Sequence, residues 1–394
     1  MNQLLANVKR NCFYKQYAIA ASLLLVEDAK SYLKCEMSLE MRKCVKCPQA
    51  ATLCGVDVKK AAYCKPCFIQ MVKHKFSSAI GKRRLYKDGE QRETLVVYDG
   101  TNTGALLLSL VSQGLQADAH KRLTLVPTVM VLFKETDERI IDNIKKEIEL
   151  IKGCILAPWI YVHIAEVFES NIPDLRASSD IFGIDYISQW TQLLTSCSSL
   201  STREEIEYLC SNMLCIRIAQ KLGIHKVMLS TSADELASTT LSSLALARGP
   251  SVFHSVNVVD KRHSDVTLIR PFREINEKET ALINRFEGSD RYILNVRKNR
   301  IKVDDDNQSL QSVSRDFISD LMVNGFTGTV TTILSTANKM QAPVTSKTRC
   351  VLCSSSYDAK ENERFCFSCA SVLDQVGDRI LLQQLLNSMC MVVC

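Results

Sequence analysis

Residues 95–110, LVVYDGTNTGALLLSL, decide how the fold is interpreted. An apolar strand is followed by a short turn of small residues and then by an apolar run that can begin a helix. In this layout, backbone N–H groups at the start of the helix can bind an anion such as a phosphate. The turn contains Gly100, and Thr103 and Gly104 fill its last positions. These residues alone leave open a working nucleotide site, a disabled one or an ordinary turn.

The flanking sequence predicts the class of fold. Strand-like apolar runs alternate with segments whose apolar residues recur every three or four positions. This alternation predicts an α/β fold with a parallel sheet covered by helices on both faces. Ligands bind such sheets beyond the carboxyl ends of the strands, which is where residues 99–104 fall. The predicted strands are residues 95–98, 125–133, 159–168, 226–230 and 266–272, and the predicted helices are residues 105–115, 138–153, 203–223 and 233–249.

Length and composition predict more than one domain. The chain has 394 residues, and its hydrophobic fraction of 46% is ample for a sizeable core. We divide it into an N-terminal extension, a four-cysteine module with a basic segment, the α/β domain, a helical or linker region, a second four-cysteine module and a tail. These correspond to residues 1–40, 41–90, 91–290, 291–345, 346–375 and 376–394.

The sequence gives no sign of a membrane span, because no run of 18 apolar residues is present. The apolar segment at 17–26 follows basic residues and loosely resembles a secretory signal. No small-residue cleavage site follows it, so we expect residues 1–40 to be a first helix or an extension.

The cysteines predict two metal sites. The chain has 17 cysteines, and this odd number argues against complete disulfide pairing. Two CxxC pairs close one tetrahedral site, and each doubled array predicts structural Zn²⁺, with an iron–sulfur cluster as the less expected alternative. Metal-binding thiols suit a reducing compartment, which favours the cytoplasm, and Cys54 is interpreted as a spare thiol. The predicted ligands are Cys44, Cys47, Cys64 and Cys67 in the first array and Cys350, Cys353, Cys366 and Cys369 in the second.

Basic residues predict a surface for a polyanion. The formal charge of +6 falls to about +2 if each array binds one divalent metal through four thiolates, so affinity must come from local patches. One patch follows the first array and can track a phosphate backbone or simply form a solvated helix face. Arg270 and Arg273 either contact RNA phosphate or pair with Glu274 and Glu277. The predicted patch comprises Lys73, His74, Lys75, Lys82, Arg83 and Arg84.

Several motifs together resemble the cytoplasmic tRNA 2-thiolation protein 2 family, the second subunit of the eukaryotic cytosolic thiouridylase. Besides the paired CxxC modules and the HKF…GKxRL segment, they are residues 221–249, IRPFREINEKE at 269–279 and TGTVTTILSTANKM at 327–340. The resemblance covers roughly residues 41–375. It implies the adenine-nucleotide alpha-hydrolase-like fold of PP-loop ATPases and a role in 2-thiolation of the wobble uridine of tRNAs for Lys, Glu and Gln. It also implies a catalytic paralogue as partner and a ubiquitin-like sulfur carrier.

The same resemblance indicates that the nucleotide loop has degenerated. Active PP-loop enzymes carry SGGxDS after the first strand, and a carboxylate in place of the first Ser repels polyphosphate. A second motif of those enzymes is reduced to STSADE at 230–235, which keeps Asp234, and their CxxC is reduced to Cys197. We therefore expect no catalytic residues and do not expect ATP as a cofactor. The loop positions read Asp99, Gly100, Thr101, Asn102, Thr103 and Gly104.

Three functions follow from this reading. The first is a non-catalytic subunit that binds tRNA and supports the catalytic paralogue. The second is an active ATP-dependent sulfurtransferase that adenylates tRNA. The third is a zinc-stapled scaffold for the sulfur carrier that has no tRNA contact of its own.

Overall fold

The structure, a computed structural model, describes residues 43–54, 61–86, 91–118, 122–173, 175, 180–263, 265–298, 308–340, 348–359 and 363–390. The chain divides into two compact units, Met1–Met71 and Val72–Cys394. The predicted extension at 1–40 lies outside the described residues. None of the helices described is both long and apolar enough to span a membrane.

The first unit contains a short antiparallel pair of strands. Strand β1 (Leu53–Cys54) pairs with β2 (Ala62–Tyr63), and helix α1 (Lys65–Gly81) begins directly after Cys64 and extends into the second unit. The backbone N–H of Cys44 donates to the carbonyl of Gln49 at 2.8 Å, which closes the turn at the first knuckle. Such turns hold the two sulfurs of a CxxC pair toward one point.

The second unit is built on a seven-stranded sheet with the spatial order β6-β5-β4-β3-β7-β9-β8. All neighbouring pairs are parallel except β8 with β9, which is antiparallel. Strands lie at all five predicted positions, but the predicted strand 159–168 ends at His163, where a 3₁₀ segment follows, and the predicted strand 266–272 ends at Ile269. Strand β6 and the antiparallel strand β8 were missed. In chain order the strands are β3 (Glu93–Tyr98), β4 (Val126–Phe133), β5 (Trp159–His163), β6 (Ile181–Phe182), β7 (Lys226–Met228), β8 (Val259–His263) and β9 (Val266–Ile269).

Helices connect the strands, and their ends follow local capping chemistry. Ser232 and Asn276 each form a reciprocal capping box with the glutamate three residues later. The helices are α2 (Asn102–Gln116), α3 (Glu138–Ile151), α4 (Ile187–Thr195), α5 (Leu200–Lys221), α6 (Ala233–Ala245), α7 (Gly249–Val256), α8 (Glu277–Glu287), α9 (Asn295–Lys298), α10 (Leu310–Val323), α11 (Gly328–Lys339), α12 (Phe367–Asp374) and α13 (Arg379–Cys390).

The C-terminal region belongs to the core of the second unit. Leu352 and Val372 of the predicted second cysteine module pack in the same hydrophobic cluster as Ile160 and Ile218. Within the predicted tail at 376–394, residues Arg379–Cys390 form α13, whose Leu385 is buried in this cluster. Apolar side chains of both segments therefore complete a core that the sheet begins.

A buried acid follows strand β5. Glu166 lies in the 3₁₀ segment Ile164–Phe168, is 3% exposed, and its Oε1 has no hydrogen-bond partner among the described residues. Burial raises the pKa of Glu166 to about 7, and the charge of Glu169 adds to the rise. Buried Arg217 opposes this shift while it donates to the carbonyls of Val167 and Glu169.

We expect Glu166→Gln to stabilise the protein at pH 8 and to have little effect near pH 4.5. The folded protein retains the Glu166 proton up to about pH 7, whereas the unfolded chain releases it near pH 4.5. Stability from this group therefore falls as the pH rises through that window, by up to about 3 kcal/mol. Urea unfolding at the two pH values measures the difference, and Glu93→Gln on the exposed start of β3 is the control. Equal effects of Glu166→Gln at both pH values would contradict the assignment.

Candidate functional site

The predicted phosphate loop lies where the sequence placed it, between the carboxyl end of β3 and the start of α2. Strand β3 is central, with β4 and β7 on either side. Thr101 is the N-cap of α2, and its hydroxyl accepts the N–H of Gly104 at 3.2 Å. A helix N-terminus of this kind binds an anion only if its N–H groups are available.

The carboxylate of Asp99 occupies this turn. Asp99 Oδ1 accepts the backbone N–H of Thr101 at 3.1 Å and its hydroxyl at 2.7 Å. Asp99 Oδ2 accepts the hydroxyl of Ser230 at 3.2 Å. A Cβ at Gly104 would lie 2.4 Å from Asp99 Oδ1, so the carboxylate packs directly against the backbone of the turn. The protein therefore supplies its own anion where a phosphate would bind.

Leu294 covers the same turn from the other side. Its N–H donates to the carbonyl of Gly100 at 3.0 Å, and its side chain is buried. A Cβ at Gly100 would lie 2.3 Å from Leu294 Cδ1, and Gly100 has φ of +72°. Asn284 Nδ2 donates to the carbonyl of Asn102 at 2.8 Å. Close packing of Leu294 and Asn284 thus fills the approach to residues 99–104, and no local sequence signal identified either residue.

The remnant of the second motif, STSADE at 230–235, serves as a helix start. The hydroxyl of Ser232 accepts the N–H of Glu235 at 3.1 Å, and Glu235 Oε2 accepts the N–H of Ser232 at 3.0 Å. Asp234 Oδ2 accepts the N–H of Glu277 at 2.6 Å, and burial raises the pKa of Asp234. Of the acids at this edge, Asp99 is the one whose carboxylate lies in the turn where a polyphosphate would have to bind.

Three cysteines outside the two arrays, all among the described residues, are poor nucleophiles. Cys197 donates to the carbonyl of Leu193 at 3.5 Å, and burial raises the pKa of its thiol. Burial likewise raises the pKa of Cys154 to about 11 and that of Cys215 to about 12. Because the thiolate is the reactive form, these groups are protonated and weakly reactive at neutral pH.

The two predicted cysteine arrays each assemble into one group. In each group, the four sulfur atoms lie within 4.8 Å of one another. Cys47 Sγ lies 3.5 Å from Cys64 Sγ, and Cys353 Sγ lies 3.7 Å from Cys366 Sγ. Sulfurs at about 2.3 Å from one tetrahedral Zn²⁺ lie about 3.8 Å apart, so both groups fit a single ion. A four-iron cluster binds its thiolates on four separate irons and therefore spaces the sulfurs more widely.

The predicted basic patch divides into paired and exposed residues. Lys73 lies 2.7 Å from Glu287, and Lys75 lies 2.7 Å from Glu279, so α8 neutralises both. The exposed members are His74 on α1 and the turn that ends this helix. That turn comprises Lys82, Arg83 and Arg84.

Arg270 and Arg273 are buried, and their guanidiniums donate to backbone carbonyls. Arg270 Nη1 donates to the carbonyls of His254 and Asn257, each at 3.3 Å. Arg273 donates to the carbonyls of Val256 and Leu334 at 2.9 Å. These arginines tie α7 and α11 to the end of β9, so we remove both from the candidate RNA-binding residues.

We expect the full chain to bind two equivalents of metal. Cys67→Ser and Cys366→Ser should each lose one equivalent, because each removes one of four ligands. Cys154→Ser, outside both groups, should retain two. Elemental analysis after dialysis measures the ratio, and a wild-type value below two, or two in either ligand variant, would contradict the assignment.

Comparison with known proteins gives consistent matches. The family model for cytoplasmic tRNA 2-thiolation protein 2 matches residues 309–377. The chain is 34% identical over 348 residues to cytoplasmic tRNA 2-thiolation protein 2 of Caenorhabditis elegans, an alignment that covers 87% of this chain and 97% of that protein. The Xenopus tropicalis protein of the same name is 24% identical over 411 residues, covering 87% of this chain and 78% of that protein.

Among solved structures, the fold is similar to the U34-tRNA thiolase NcsA from Methanococcus maripaludis with its 4Fe-4S cluster. The TM-score is 0.52 at 14% sequence identity, and the match covers 76% of this chain and 88% of that one. At this identity the likeness shows the fold alone, and it confirms the predicted α/β class with a mostly parallel sheet. Because it is 34% identical to the nematode protein over 87% of its own length, the chain belongs to the cytoplasmic tRNA 2-thiolation protein 2 family.

Proposed function

We propose that this chain is a non-catalytic, cytoplasmic subunit of a tRNA thiouridylase. In this role it binds tRNA and supports a catalytic paralogue that takes sulfur from a ubiquitin-like carrier and modifies the wobble uridine of tRNAs for Lys, Glu and Gln. Family membership and the thiolase-like fold support the pathway. The observation that carries the non-catalytic assignment is the carboxylate of Asp99 inside the phosphate loop.

Two further observations support this assignment. Leu294 packs on Gly100 and leaves no clearance over the turn, so a triphosphate would have to displace a buried side chain. The thiols of Cys154, Cys197 and Cys215 are protonated at neutral pH, so none is prepared to carry sulfur as a persulfide.

We further propose that each four-cysteine group holds one structural Zn²⁺. The sulfur spacing fits a single tetrahedral ion, and the sets contain no open ligand position. When bound, the metal ties the knuckles of each group together in place of a larger apolar core. Cys350 and Cys369, both 1% exposed or less, would hold the second ion inside the core of the α/β unit.

The exposed basic turn is the proposed RNA contact. The hydroxyl of Tyr86 bonds that of Thr94 at 2.9 Å, and Thr124 donates to the carbonyl of Tyr86 at 3.3 Å. These contacts hold the turn at the amino ends of β3 and β4, on the edge opposite residues 99–104. Strand β3 has six residues and is about 20 Å long, which separates the turn from residues 99–104. A tRNA backbone that extends across the protein can span this distance and contact the turn.

We expect ATP with Mg²⁺ to leave the melting temperature of the isolated chain unchanged, because the loop already holds Asp99. Binding at a hundred times Kd would add about 2.7 kcal/mol of stability. Differential scanning calorimetry measures this, with the catalytic paralogue as positive control. A clear upward shift would favour the active-enzyme alternative.

Replacing Lys82, Arg83 and Arg84 together by Ala should weaken tRNA binding at physiological salt at least tenfold and flatten its salt dependence. Each lost phosphate contact removes a released counterion, so the slope of log K against log salt should fall by about 2–3. The matched control replaces Lys146, Arg285 and Lys339, which remove equal charge from scattered exposed sites. Fluorescence anisotropy of labelled tRNA gives both values, and unchanged binding would favour the scaffold alternative.

A further inference from the structure

The C-terminal cysteine group would carry a buried negative charge when it binds a metal. Cys350 is 1% exposed and Cys369 is fully buried. Four thiolates with one divalent ion carry a net charge of −2. A buried charge of this size is unfavourable unless nearby groups offset it through hydrogen bonds or ion pairs.

Arg248 lies against this group. Its side chain is 6% exposed, and Nη1 donates to Cys369 Sγ at 3.4 Å. Its Nε lies 2.7 Å from Glu205 Oε1, on helix α5. The guanidinium thus connects a cluster sulfur with a buried carboxylate of the α/β unit.

The backbone around Arg248 is shaped by the cysteine module itself. Ala247 has φ of +57°, a conformation that a residue with a Cβ adopts only at some cost. Ser368, between two metal ligands, donates its hydroxyl to the carbonyl of Ala247 at 2.8 Å. The N–H of Arg248 donates to the carbonyl of Ser243 at 2.8 Å. The turn from α6 to α7 is therefore held in an unusual conformation that aims Arg248 at the cluster.

Cationic side chains near the C-terminal group offset much of the charge that a loaded cluster would carry. Arg262 Nη2 lies 2.7 Å and Arg270 Nη2 lies 3.7 Å from Asp260 Oδ2, and Arg262 also donates to Ser355 Oγ at 2.9 Å. These two guanidiniums and Arg248 carry +3, against −2 from Asp260 and Glu205. Thiolates and metal add −2, so the three guanidiniums offset all but one of the four negative charges. Burial lowers the pKa of His263 to about 4, so it adds no charge at neutral pH.

We propose that Arg248 is a positioning residue for the C-terminal metal centre. It stabilises the thiolate charge through Cys369 and secures the centre to α5 through Glu205. At the N-terminal group, by contrast, the sulfur of Cys44 accepts the backbone N–H of Lys46 at 3.4 Å, a neutral donor. Loss of Arg248 should therefore affect one metal and leave the other unchanged.

The test is the rate of Zn²⁺ release from the full-length chain to a colorimetric chelator. Cys67→Ser assigns the kinetic phase of the C-terminal metal. Arg248→Met should accelerate that phase about 10–100-fold, the range for loss of an outer-shell partner, with the N-terminal phase unchanged. Arg248→Lys, which keeps the charge, should recover part of the difference. Arg285→Met on the exposed face of α8 is the matched control and should release both metals at wild-type rates.

A second variant separates this role from simple pairing with Glu205. Arg248→Met leaves Glu205 buried without its partner, which can destabilise the fold by itself. The double variant Arg248→Met with Glu205→Gln removes both charges and should still release the C-terminal metal faster. A wild-type rate in the double variant, or equal acceleration of both metals, would overturn the proposal.

Discussion

Asp99 is the residue on which the carboxyl edge of the sheet depends, because its carboxylate accepts the N–H and the hydroxyl of Thr101 at the start of α2. A helix N-terminus whose N–H groups already bind an anionic side chain binds a phosphate less well. Two neighbouring residues stabilise this arrangement, because Ser230 donates to the same carboxylate and Leu294 packs over Gly100. The strand–turn–helix layout of the predicted loop is therefore present, while its turn is stabilised from within the protein.

Helix α6 links this edge to the second metal centre. It starts at the capping box of Ser232, beside the degenerate motif, and ends at the strained turn that carries Arg248. Its 13 residues span about 20 Å. The C-terminal cysteine module is consequently part of the α/β core, docked on edge strand β8 through Arg262. In the proposed function, a metal bound there would stabilise the frame on which the partner and the RNA assemble.

The proposed roles of the two edges of the sheet follow from the positions of the charged side chains. Acidic groups gather at the carboxyl edge, and the exposed cations of the turn after α1 lie at the amino edge. Lys73 and Lys75 are already paired with glutamates of α8, so they contribute to packing. A surface of this kind can hold the backbone of a large RNA while the chemistry takes place in another subunit.

Local sequence determined the alternation of strands and helices, the loop at 99–104 and the four CxxC pairs, because apolar periodicity and CxxC spacing depend only on near neighbours. The local sequence also places an acidic residue, Asp99, in this loop. Tertiary structure alone decided that Leu294 covers Gly100, that Arg270 and Arg273 are buried, and that the C-terminal helix belongs to the core. Each of these contacts joins residues far apart in the chain. The charge or apolarity of a side chain does not by itself predict which distant residue it will contact.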